Sequence, residues 1–110
     1  MSNMFRFFLL AGLTATLPLS AAADDSYVLT LKDHTFSPAD LVLPKGQRVK
    51  LTVHNQDKSP AEFESHDLDV EKIIPGGQTI SVFVGPLEPG RYSFVDEYHE
   101  DESKAYLTVE

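Results

Sequence analysis

The run Gly90-Arg91-Tyr92-Ser93-Phe94-Val95-Asp96-Glu97-Tyr98-His99, with Ala105-Tyr106-Leu107-Thr108-Val109 soon after it, decides how this chain is read. Pro89-Gly90 is a turn signal. Tyr92 and Phe94 alternate with polar neighbours, as on a strand with one buried face. Asp96, Glu97, His99, Glu100, Asp101 and Glu102 then crowd into the connection before the last strand. A loop held between two strands thus offers oxygen and imidazole donors on a rigid scaffold, a common way to build a site.

The same period of two runs outward through the chain. Tyr27-Val28-Leu29-Thr30-Leu31 alternates, and His34-Thr35-Phe36-Ser37-Pro38 breaks it. Leu41-Val42-Leu43 is a short strand before the Pro44-Lys45-Gly46 turn. Val49, Leu51 and Val53 alternate with Arg48, Lys50, Thr52 and His54, the clearest strand pattern present. Residues 55–60 form a loop, after which Glu62-Phe63-Glu64 places Phe63 toward the core. Residues 68–73 continue extended to the Pro75-Gly76-Gly77 turn, and Ile80, Val82 and Val84 alternate once more. Seven to eight short strands with regular turn signals, and no sustained 3.6-residue period, predict an all-β Greek-key sandwich. Its expected core is Val49, Leu51, Val53, Phe63, Ile80, Val82, Tyr92, Phe94, Leu107 and Val109.

Residues 1–23 read as a signal peptide. One positive charge precedes an apolar run, and Ser20-Ala21-Ala22-Ala23 supplies the small-residue cleavage site. The run is too short and broken to span a membrane. The expectation is a mature domain of residues 24–110 in the periplasm, with no direct membrane insertion once the signal is removed. There are no cysteines, so no disulfide staples it. All 17 acidic and eight of the nine basic residues follow residue 23, a net charge of −9 there. That excess argues against nucleic acid and anionic membrane as partners and is compatible with cations.

The order Phe36-x-Pro38, Pro44-x-Gly46, Asn55-x-Asp57, Pro75-Gly76-Gly77, Pro89-Gly90-x-Tyr92-x-Phe94 and His99 resembles the cupredoxins over nearly the whole mature chain. Blue-copper members of that family use two His, a Cys and a weak axial Met. Here Asp96 stands in the Cys place, Ala61-Glu62 where the first His is expected, and Ser103 or Lys104 near the Met place. The resemblance therefore implies the fold without blue-copper electron transfer. Glu62-Phe63-Glu64 is similar to a narrower group: the cupredoxin-like domains of periplasmic iron uptake, both EfeO-type domains and stand-alone cupredoxins that accompany inner-membrane iron permeases. That similarity implies a metal site using the Glu of this triplet and Asp96. It also implies an inner-membrane iron permease, or other periplasmic iron-uptake components, as partner. A further ligand of that group falls at Phe36, which cannot bind metal; His34, His66 or His99 would have to replace it.

The residues expected to hold an iron or copper ion are Glu62, Glu64, Asp96, Glu97 and His99. Carboxylates and imidazole suit Fe, Mn, Cu(II) or Zn better than Cu(I). Glu62 and Glu64 share a strand face and are expected to meet the Asp96–His99 loop in one cluster. The plainer reading makes them the solvated face of a strand and makes Asp96 and Glu97 ordinary loop acids. Catalysis has little support, since there is neither a nucleophile elbow nor a glycine-rich phosphate loop, and an oxidase acting on Fe(II) by itself would need a redox metal held in place, so a binding protein rather than an enzyme is expected. A metal-free interaction module that keeps the fold is the alternative.

Overall fold

The computed structural model describes residues 25–110. The signal-peptide reading of residues 1–23 and the expected mature start at Asp24 lie outside the described residues. Among the described residues, nine strands form two sheets. They are β1 (Asp25–Lys32), β2 (Thr35–Ser37), β3 (Asp40–Leu43), β4 (Val49–Asn55), β5 (Ala61–Ser65), β6 (Val70–Ile74), β7 (Thr79–Val84), β8 (Gly90–Asp96) and β9 (Ala105–Val109). A 3-10 turn, Glu97–His99, and the single-turn helix α1, Glu100–Ser103, bridge β8 to β9. The sandwich is as expected, with one strand more than the seven to eight read from the pattern. The addition is β2, whose three residues are too few to show a period. Residues 66–69 turn the chain between β5 and β6, where the sequence reads as extended.

One sheet runs β2-β1-β4-β7 and the other β3-β9-β8-β5-β6. β1 pairs with β4 and β3 with β9 in parallel; the remaining pairings are antiparallel. The core lies between the sheets because each strand buries alternate side chains: Val49, Leu51 and Val53 on β4, Ala61, Phe63 and Ser65 on β5, and Ala105, Leu107 and Val109 on β9. Eight of the ten expected core residues are buried, and Ile80 and Tyr92 pack against the core from its margin.

Three phenylalanines close one end of this core. Phe36 meets Phe94 edge-on at 5.0 Å between ring centroids and Phe63 at 6.0 Å, while Phe63 and Phe94 lie 5.2 Å apart. Edge and tilted contacts of this kind match the preferred geometry of aromatic quadrupoles. The three rings tie together β2, β5 and β8, whose ends carry the candidate site.

Candidate metal centre

Asp96 ends β8 two residues beyond Phe94, so the pleat points both side chains to the interior face. Its carboxylate is 1% exposed. Oδ1 accepts from the backbone N–H of Glu62 (3.0 Å) and of Tyr98 (3.1 Å), the second bond capping the 3-10 turn. The Asp96 N–H donates to Ser103 Oγ at 2.7 Å, and that hydroxyl donates to the Asp96 carbonyl at 3.2 Å. A buried carboxylate needs such partners, because an unpaired buried polar group costs roughly 1–3 kcal/mol. Oδ2 is left facing His99 Nδ1 at 3.3 Å.

His34 arrives from the other sheet. It sits with Asp33 in the two-residue turn between β1 and β2, with φ of 51° at Asp33 and 62° at His34. Positive φ at both central residues is the geometry of a type I′ hairpin, normally supplied by Asn and Gly. Side chains in that region cost on the order of 1–2 kcal/mol per residue. Asp57 offsets the cost: Oδ1 accepts from the Asp33 N–H (2.6 Å) and Oδ2 from the His34 N–H (3.0 Å). Burial works against the charged Asp57 carboxylate, but these two bonds and the nearby His34 and His99 outweigh it and hold its pKa below the ordinary value.

The His34 and His99 rings lie face to face, centroids 3.6 Å apart and 16° from parallel. Ligand atoms of His34, Asp96 and His99 all fall within 4.8 Å of one another. Two imidazoles and a carboxylate are a donor set for Cu(II), Zn(II) or Fe(II).

The five residues expected in one cluster lie in two groups. Asp96 and His99 join His34 on the interior side. Glu62, Glu64 and Glu97 meet with Glu71 on the outer side, where ligand atoms of Glu62, Glu71 and Glu97 also lie within 4.8 Å of one another. The two groups stand back to back across β5, whose Glu62 N–H reaches Asp96 while its side chain points away. Register places Glu64 directly opposite Glu71. Partial burial, a hydrogen bond with Glu71 and the charges of Glu97, Glu71 and Glu64 raise the Glu62 pKa. Glu64 is raised by partial burial and by Glu97 and Glu71, against a lowering by His66. His66, an offered substitute ligand, stays at the surface 3.6 Å from Glu64.

Of the three histidines offered from the sequence as a replacement ligand, the structure brings His34 and His99 to Asp96 and leaves His66 outside, although the plainer reading made His34 a turn residue. Its signal was present: an Asp-His pair separates two strand-like runs at the spacing of a two-residue hairpin. Asp57 was visible as part of the Asn55-x-Asp57 motif, without a role attached to it.

Fold and site together define a small β-sandwich with an imidazole–carboxylate centre at one end. The family described as Cupredoxin-like domain matches residues 4–109, and the chain belongs to that family. Uncharacterized protein RP394 of Rickettsia prowazekii (strain Madrid E) is 38% identical over 81 residues, 74% of this chain and 65% of that protein. The chain thus spans just under two thirds of that relative's length. The metal binding domain of the Streptococcus pneumoniae D39 Cu(I) exporting P-type ATPase CopA has a TM-score of 0.67 at 20% identity, over 77% of this chain and 84% of that one. Auracyanin A, a blue copper protein of Chloroflexus aurantiacus, has a TM-score of 0.68 at 12% identity, over 80% of this chain and 100% of its own. At these identities the two structures attest the fold.

The copper centre of blue-copper cupredoxins does not fit here. Asp96 stands where a thiolate is needed, and the chain has no cysteine. A non-blue site does fit: the buried Asp96 carboxylate has one oxygen fixed by two N–H groups and the other turned to an imidazole.

Proposed function

We propose that this chain is an exported metal-binding protein rather than an enzyme or a blue-copper electron carrier, and that His34, Asp96 and His99 hold the ion. The observation that carries the reading is the convergence of these donors from opposite sheets to within 4.8 Å. A bound copper or iron ion would bring a redox couple. The residues' own part is to hold it: Asp96 by a carboxylate fixed through two backbone bonds, and the imidazoles by rings brought together beside it, one of which would turn out of the stack so that both point a nitrogen at the ion. The similarity in fold to a copper exporter's metal binding domain and to a copper binding protein supports copper as one cargo. The likeness of the Glu62-Phe63-Glu64 triplet to the EfeO-type group supports iron, delivered beside an inner-membrane permease, with the triplet's own carboxylates on the opposite face from the Asp96 centre. The Ala21-x-Ala23 pattern supports a periplasmic place.

Thermal melts of residues 24–110 with Cu(II), Zn(II), Fe(III) and Mn(II) at neutral pH test the reading. An ion held by the native site raises Tm, by about 2.7 kcal/mol of stabilisation at a hundredfold excess over Kd. Melts that all overlay the metal-free curve reject it. One observation favours the metal-free interaction module as the second reading: Asp57 and Asp96 already face the two imidazoles, so the centre is coherent without an ion.

A further inference from the structure

We propose that Asp57 is the positioning residue of this centre: by clamping the Asp33–His34 turn it sets His34 against His99 as the second nitrogen donor. The inference rests on the metal-binding reading above and names what assembles its site. Asp57 takes both backbone N–H groups of the turn, one on each carboxylate oxygen. Its Oδ2 also lies 3.6 Å from His34 Nδ1. A carboxylate beside one ring nitrogen can orient a histidine that binds metal through the other. Asp57 alone stands in that relation here, since the carboxylate beside His99, Asp96, is itself assigned as a ligand.

Asp57 can act as a clamp because it is held rigidly itself. Its N–H donates to Asn55 Oδ1 at 3.0 Å, and its carbonyl accepts from the Gly77 N–H at 3.0 Å. Asn55 is fully buried, and its Nδ2 donates to the carbonyls of Ser59 (2.9 Å) and Ile74 (3.1 Å). Gly76 lets the chain pass so close that a Cβ there would run into the Lys58 carbonyl. The Asn55-x-Asp57 and Pro75-Gly76-Gly77 motifs thus form one brace. That brace ends on a turn whose two residues are both in the left-handed region. Without Asp57, the turn has less reason to stay there, and His34 leaves the stack.

The test compares the wild type with Asp57→Ala, the milder Asp57→Asn, His34→Ala, the double variant Asp57→Ala/His34→Ala, and Asp57→Ala/Asp33→Gly. Ring-proton NMR shifts of His34 and His99 report the stack in the metal-free protein. Cu(II) titration reports affinity, and the Cu(II) EPR spectrum reports the number of nitrogen ligands. Asp57→Ala is expected to lose the stacking shifts, to weaken Cu(II) binding by about ten- to a hundredfold, and to change the spectrum from two nitrogens to one. Adding it to His34→Ala is expected to weaken binding no further. Asp33→Gly is expected to restore part of the loss, because glycine takes positive φ without the steric cost. Wild-type stacking and affinity in both Asp57 variants overturn the proposal. So does an Asp57→Ala loss that is equally large without His34. If the wild type takes up no Cu(II), the metal reading falls and the proposal with it, and the NMR shifts then show separately whether Asp57 holds the stack.

Discussion

His34 and His99 come from different sheets and meet ring on ring, 3.6 Å between centroids, each with its Nδ1 turned to a carboxylate. A turn between two strands supplies one ring and a 3-10 turn after β8 supplies the other. Phe36, Phe63 and Phe94 pack together on the strands that lead to those two turns. The centre is thus a consequence of how the two sheets close, and its disturbance should be measurable from either side.

His34→Ala should remove most of the Cu(II)- or Zn(II)-induced rise in Tm, because it leaves Asp96 and His99 as the remaining donors. His54→Ala and His66→Ala should leave that rise intact, since neither joins the centre. Binding should weaken as pH falls, because metal must displace protons from imidazole and carboxylate. Calorimetric titration of the three variants at pH 7 and pH 5 measures this; equal affinities across the set would remove His34 from the site.

Asp96→Ala and Glu62→Ala should part company. The first takes a ligand from the His34–His99 centre, whereas the Glu62 side chain faces the other way. Metal stabilisation should vanish in Asp96→Ala and persist in Glu62→Ala. The reverse outcome would place the ion among Glu62, Glu71 and Glu97 instead.

Added Cu(II) should give weak visible bands and no intense red-end absorption. That absorption requires a copper–thiolate bond, and the chain has no cysteine. A strong band of this type in the visible spectrum would contradict the donor assignment.

Glu64→Gln should stabilise the fold at neutral pH. Glu64 has a pKa raised above its ordinary 4.5 by partial burial and by Glu97. A carboxylate with a raised folded pKa holds its proton more tightly when folded. Its relative stabilisation is complete below the ordinary value and is lost as pH rises through the folded value. Melts of wild type and variant should therefore lie closest near pH 4 and separate as pH rises toward 7. Curves that keep a constant separation would show that Glu64 carries no such repulsion.

Phe94→Ala should cost about 3–5 kcal/mol in chemical denaturation. Phe94 is 1% exposed and packs on both Phe36 and Phe63. A loss near zero would mean that the side chain is not part of the core.

The strands and their inward faces were legible in the sequence because a pleat reveals itself within one segment: Val49, Leu51 and Val53 announce their face without reference to anything else. The absence of a thiolate was equally plain, and with it the exclusion of blue copper. The tertiary structure decided which donors meet. Glu62, Glu64, Asp96, Glu97 and His99 all lie near one end of the sandwich, yet the pairing of Phe63 with Asp96 turns the Glu62 and Glu64 side chains to the opposite face from the Asp96 carboxylate. A period of two fixes parity along a strand; parity between strands depends on register, which no single segment carries. Which of His34, His66 and His99 would join Asp96 was undecided in the sequence for the same reason, and His34 is the case in point. It is distant in sequence from His99, and it reaches that ring by way of a turn held open by Asp57, a contact made through space between loops of different strands.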